Sequence, residues 1–293
     1  MTFAFAHHSP LAPAVAQLAA LSLASLQPRR TLHRADKQSD WNAALATMRR
    51  FAASPGYQAP LQLQGHAALE NYWHWQAAGH EACHLLVYGI DLGLPGAALR
   101  PWYLATVALW KDAAAVAQHA RDSMQAATGA PYGVPAPITT RSSEYRYAVT
   151  LMALAVLLDA PEELPALVEQ VLAFDTDRLL DYLSAAAITL EEVNETLFHR
   201  RPYGALLPFF EQLGEPSPTP LVDYVQTQYA DFLRQSPSQQ KKGAPWLGTW
   251  AWALEVGALS VLYGWDDAAL RALPHYPADL VDFARESLEK ESL

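Results

Sequence analysis

The sequence predicts an all-α fold, a multi-helix array of two packed helical domains with little or no β-structure. Three observations carry the prediction. The long segments are rich in Ala, Leu, Glu and Gln, which form helices readily. Their apolar residues recur at three-to-four spacing. Strand alternation, hairpin signals and Gly-rich phosphate loops are missing from the sequence.

In chain order, "MTFAFAHHSPLAPAVAQLAALSLASLQPRR" (1–30) holds an Ala/Leu-rich run with no basic residues ahead of it. Pro10 and Pro13 precede the run and Arg29-Arg30 follow it, so we read a core helix rather than a secretory signal. Breaker-rich stretches at 54–60, 127–140, 214–220 and 235–245 read as loops. Between them, "NYWHWQAAGHEACHLLVYGI" (71–90) is apolar nearly all round and reads as a buried helix, with Asp91 in the turn after it. "SEYRYAVTLMALAVLLDA" (143–160) and "PLVDYVQTQYADFLRQ" (220–235) carry helical periodicity. "PADLVDFARESLEKE" (277–291) opens with a proline suited to a first turn and sets Leu280, Phe283, Ala284 and Leu288 on one face. With about a dozen residues per helix, roughly ten helices are expected. The Pro-rich 127–140 stretch is the best boundary, giving an N-terminal helical domain over 1–135 and a C-terminal one over 136–293.

Composition narrows the function classes. At 51% hydrophobic and 17% charged the chain is globular, and no stretch of about 18 uninterrupted apolar residues exists to span a membrane. One cysteine, Cys83, excludes an internal disulfide and any Cys-based zinc site, which fits a reducing compartment, so the cytoplasm is the expected location. Charge is divided unevenly: residues 1–150 carry 11 basic and 8 acidic residues, residues 151–293 carry 9 and 22. Ten acids fall between 159 and 195 (Asp159, Glu162, Glu163, Glu169, Asp175, Asp177, Asp181, Glu191, Glu192 and Glu195) against the single base Arg178. Such a run is most simply a solvated face, yet its field also attracts a basic partner. It argues against nucleic-acid binding, which needs a basic footprint.

One motif invites a catalytic reading. His80-Glu81-x-x-His84 has the HExxH spacing that puts two imidazoles on one helix face with a Glu to activate water. A catalytic zinc needs a third protein ligand, and no His follows closely; the next Glu after Glu81 is Glu144, beyond the domain boundary. The surrounding helix is apolar, so a structural role is the simpler reading. Cys83 and His84 are sequence neighbours, which do not face each other on a helix. No metal and no cofactor is expected. A zinc hydrolase on His80, Glu81 and His84, or a helical adaptor without catalysis, stand as the alternatives.

The stretch "WLGTWAWALEVGALSVLYGWDDAALRALPHYPADLVDFAR" (246–285) resembles the C-terminal domain of the PoNi immunity proteins. Trp252 with Glu255 matches that family's Trp-x-x-Glu helix start, running into Gly257 and Ala258. Asp266-Asp267 and then Tyr276-Pro277-x-Asp279-Leu280 follow in the family's order. "RLLDYL" (178–183) and "RRPYGALLPFF" (200–210), including Tyr203, look like earlier helices of the same domain, and 41–125 resembles the family's N-terminal helical domain more loosely. The chain departs at Ala251 and His275, where the family usually has aromatics.

The resemblance implies a protein that binds and neutralises a PoNe-type DNase toxin delivered by a contact-dependent secretion system. Glu255 lies in an apolar helix and needs a partner, with Tyr203 and Arg201 the candidates. Asp266-Asp267 reads as a helix cap, and Asp279 suits the first turn of the last helix. These are fold-signature positions. The toxin-contacting residues are expected among the ten acids together with Tyr182, since a DNase cleft is basic.

Overall fold

The computed structural model describes residues 10–24, 26, 34–212, 217–229 and 251–291. Among these, every regular element is helical and no strand occurs, as the periodicity predicts. The loop expected over 235–245, the far end of the helix expected over 220–235 and the first nine residues lie outside the described residues. Two compact units emerge: residues 1–138 with 169–173, and residues 139–168 with 174–293.

The first unit is built on α1 (Leu11–Ala20), α2 (Arg34–Ala52), the short α3 (Pro55–Gln58), α4 (His66–Leu92) and α5 (Gly96–Thr128). A three-residue connection folds α5 back along α4. The reversal needs Gly93: it takes the left-handed conformation (φ 86°) while Leu94 N–H bonds the Gly89 carbonyl at 2.9 Å. Asp91 is not in that turn. It lies buried in the last turn of α4 and pairs with Lys37 of α2 at 3.3 Å, because the helix runs to Leu92, two residues past the expected end. The core is aromatic, with Trp41, Trp75, Trp102 and Trp110 all buried.

The second unit centres on α6 (Tyr145–Leu157) and α11 (Leu254–Leu262), both apolar on all sides and packed against each other. Burial of each Leu or Val there contributes about 1.5–3 kcal/mol. Around them lie α7 (Leu164–Ala166), α8 (Arg178–Ser184), α9 (Leu207–Phe210), α10 (Thr219–Asp223), α12 (Ala268–Arg271) and α13 (Ala278–Glu291). Apart from the 14-residue α13, these peripheral helices are shorter than the dozen residues expected, and π-turns follow α7 (Leu167–Val171) and α10 (Tyr224–Tyr229). On α13, Leu280 and Ala284 are buried, but Leu288 is 48% exposed.

Candidate functional site

The acidic run does not form one surface, because its members do different work. Asp159 takes the left-handed conformation (φ 55°) that ends α6, with Ala160 N–H bonding the Ala155 carbonyl at 2.8 Å. Glu162 and Glu163 occupy the 3₁₀ turn Pro161–Glu163, the first exposed and the second half-buried. Glu169 is exposed but groups with the first unit. Asp175 accepts from the Thr140 hydroxyl and pairs with Arg141 at 3.0 Å.

Asp177 and Asp181 are buried, which takes both out of any partner-facing surface. Asp177 caps α8 by accepting from Leu180 N–H at 3.1 Å. It also accepts from the Tyr145 hydroxyl at 2.8 Å and Phe198 N–H at 2.9 Å. Burial raises its carboxyl above the ordinary aspartate value, with those hydrogen bonds opposing the rise. Asp181 Oδ2 accepts from the Asn194 backbone at 2.7 Å and side chain at 2.8 Å. Arg178 N–H donates to the Thr196 carbonyl at 2.9 Å. Residues 194–198 are thereby strapped alongside 176–181, with the exposed Glu195 on that strap and the exposed Glu191 and Glu192 just ahead of it. None of these three carboxylates has an ion-pair partner among the described residues.

Tyr182, half-buried on α8, opens an aromatic ledge. Its ring centroid lies 4.4 Å from Phe210 and 6.3 Å from Phe209. Phe209 in turn meets Tyr263 at 5.7 Å and Trp265 at 5.2 Å, and those last two stack at 4.8 Å. Tyr263 is 38% exposed, and partial burial pushes its phenol up to about 12.

The signature residues are internal. Glu255 is buried in the first turn of α11 and accepts from the Tyr224 hydroxyl at 2.7 Å, so its partner is neither Tyr203 nor Arg201. Sequence reading missed Tyr224 because it lies 31 residues away, on the π-turn after α10. Burial pushes the Glu255 carboxyl up to about 7. Tyr203 is buried nearby, its ring 5.3 Å from that of Tyr145. Trp252 is buried at the approach to α11.

Asp266 makes the capping-type contact, accepting from Ala268 N–H at 3.0 Å. Asp267 occupies the cap position of α12 without capping it with its side chain. Its carboxylate instead accepts from Arg271 Nε and Arg285 Nη1, both at 2.9 Å, and from the Tyr276 hydroxyl at 2.7 Å. Pro277 packs on Gly257, where an added Cβ would sit 2.8 Å from the proline ring. Asp279 is exposed in the first turn of α13. The two departures meet one another: His275 Nδ1 donates to the Ala251 carbonyl at 2.8 Å.

The HExxH segment is a packing device around Trp110. Gly79 admits the indole, which would lie 2.6 Å from an added Cβ, and Trp110 Nε1 donates to Cys83 Sγ at 3.5 Å. The His80 ring rests 5.5 Å from Trp110. Glu81 and His84 bond each other at 3.1 Å. Among the described residues no three His, Cys, Asp or Glu side chains converge on a point able to hold a metal.

Residues 175–280 match the family described as PoNe immunity proteins (PoNi), C-terminal, and residues 5–128 match the PA2201 N-terminal domain-like family. A solved structure, protein PA2201 from Pseudomonas aeruginosa, is 46% identical with a TM-score of 0.88, over 97% of this chain and 99% of that one. The chain belongs to the PoNi family. No curated protein matches it. In this PoNi chain, Asp267, Tyr276, Pro277 and Gly257 form the joint between α11, α12 and α13, which is why they read as signature.

Proposed function

We propose that this protein is an immunity protein that binds and neutralises a cognate PoNe-type DNase toxin in the cytoplasm, with no catalysis of its own. Such a toxin would arrive through a contact-dependent system such as type VI secretion. Membership of the PoNi family supports the partner class, since PoNi proteins are described as PoNe immunity proteins.

The single observation that carries the choice of surface is the exposed run of residues 191–195, whose three carboxylates have no ion-pair partner among the described residues. On the same unit, Tyr182, Tyr263 and Trp265 expose parts of their rings around the buried Phe209. A nuclease must grip a polyanion, so its cleft is basic, and fixed carboxylates speed its capture and compete with DNA. Rings at the centre of an interface supply lasting affinity, while charges at the rim mainly supply rate. The Asp175 carboxylate, balanced by Arg141, adds less.

Co-expression tests the reading. Cells making a PoNe-type nuclease from the same genome should survive when this chain is made with it. Continued death at matched protein levels would refute it.

A further inference from the structure

We propose that Phe174 is an aromatic anchor of the toxin interface, presented for insertion into an apolar pocket rimmed by basic side chains. The proposal rests on the immunity reading above and names the residue that would hold the complex together.

Phe174 is 70% exposed, more than any other large hydrophobic residue among those described. Exposure alone is a weak sign: Trp73, on α4, is 51% exposed in ordinary helical backbone. What separates Phe174 is its conformation. It takes φ 60°, directly after Ala173 at φ 51°. Side chains bearing a Cβ avoid this left-handed region, and two in succession are rarer still. Glycine would relieve the strain, and a polar residue would remove the apolar exposure. The chain carries phenylalanine, unfavourable on both counts for the isolated molecule. Strain that persists where its relief is simple points to a function for the side chain displayed.

The mounting is rigid. Phe174 N–H donates to the Val168 carbonyl at 2.9 Å, and the Phe174 carbonyl accepts from Thr176 N–H at 3.0 Å. The next residue, Asp175, is clamped by the Thr140 hydroxyl and by Arg141, whose guanidinium lies 4.0 Å from the Phe198 ring centre. Thr140 is itself buried, and its carbonyl bonds His199 Nε2 at 2.8 Å. A backbone held this way needs little ordering on docking, which lowers the cost of using its side chain as an anchor. No Lys or Arg occurs between Asp159 and Asp177; Arg141 offsets Asp175, and the remaining acids leave the segment net negative, which a basic rim complements.

The test measures binding of the full chain to the catalytically inactive form of the nuclease used for the rescue experiment. Phe174→Ala and Phe174→Gly should each speed dissociation by about tenfold or more, with association changed much less. Phe174→Trp should retain slow dissociation, as should the control Trp73→Ala. The thermal midpoint of Phe174→Gly should equal or exceed that of the parent, because the strain is relieved while no buried contact is lost. Dissociation at the parental rate in both truncated variants would overturn the anchor while leaving the immunity reading intact. A Phe174→Gly protein that unfolds would also overturn it, by making the ring a structural part. If the parent chain itself fails to bind the nuclease, the immunity reading fails first.

Discussion

Tyr276 donates its phenolic hydrogen to Asp267 at 2.7 Å, joining two signature residues that stand nine positions apart. Arg271 and Arg285 complete the site, and Arg285 also bonds the Trp265 carbonyl at 2.6 Å. Burial pushes the Asp267 carboxyl up, but the three donors outweigh it and hold the group below the ordinary aspartate value. A depressed carboxyl stabilises the fold above its unfolded value near 3.9 and loses that contribution as pH falls through the folded value. Asp267→Asn should therefore lower stability by about 1–3 kcal/mol at pH 7, with the difference shrinking below about pH 4 in denaturant titrations.

Glu255 has the opposite sign. Its carboxyl, pushed by burial up to about 7, binds a proton more tightly folded than unfolded. Its contribution to stability is complete below the unfolded value near 4.5 and is lost as pH rises to about 7, a change on the order of 3 kcal/mol. Glu255→Gln keeps an acceptor for Tyr224 and removes the charge. Urea midpoints measured from pH 5 to pH 8 should fall for the parent and stay flatter for the variant.

Gly257→Ala should destabilise by about 1–3 kcal/mol even though alanine is the better helix former by about 1 kcal/mol. The new methyl would meet the Pro277 ring at 2.8 Å and Val281 at 3.3 Å, both held by α13. A thermal midpoint raised by the substitution would contradict this packing.

Neutralising Glu191, Glu192 and Glu195 together to Gln should slow association with the nuclease by about tenfold at low salt and leave dissociation nearly unchanged. At about 1 M salt, where the screening length falls to about 3 Å, the two proteins should associate at similar rates. An association rate indifferent to salt in the parent would remove the electrostatic part of the proposal.

Asp181→Ala should release the strap. Asn194 loses both of its bonds to Oδ2, and amide exchange over 190–196 should rise with a stability loss of about 1–3 kcal/mol.

The helices were legible because a period of 3.6 residues can be read locally, as in 143–160 and 277–291. The acids were less so. Asp177 and Asp181 look like Glu191 and Glu195 in sequence, and only the fold decides which face inward. Asp177 offered one clue, standing just before the helical run "RLLDYL" as a cap residue does. Tyr224 could not be assigned to Glu255, because no periodicity links residues on separate elements. Phe174 was hidden for another reason: its significance lies in a backbone angle, and its letter sits in the middle of a run noticed only for its charge.

The strap over 194–198 is moored by main-chain atoms and by the side chains of Asn194 and Phe198. Glu191, Glu192, Val193 and Glu195 take no part in the mooring, so their identities are open to replacement without disturbing the scaffold beneath. On the proposed reading, a change of adversary could be met by new letters there, while the joint of Asp267, Tyr276 and Gly257 keeps its packing.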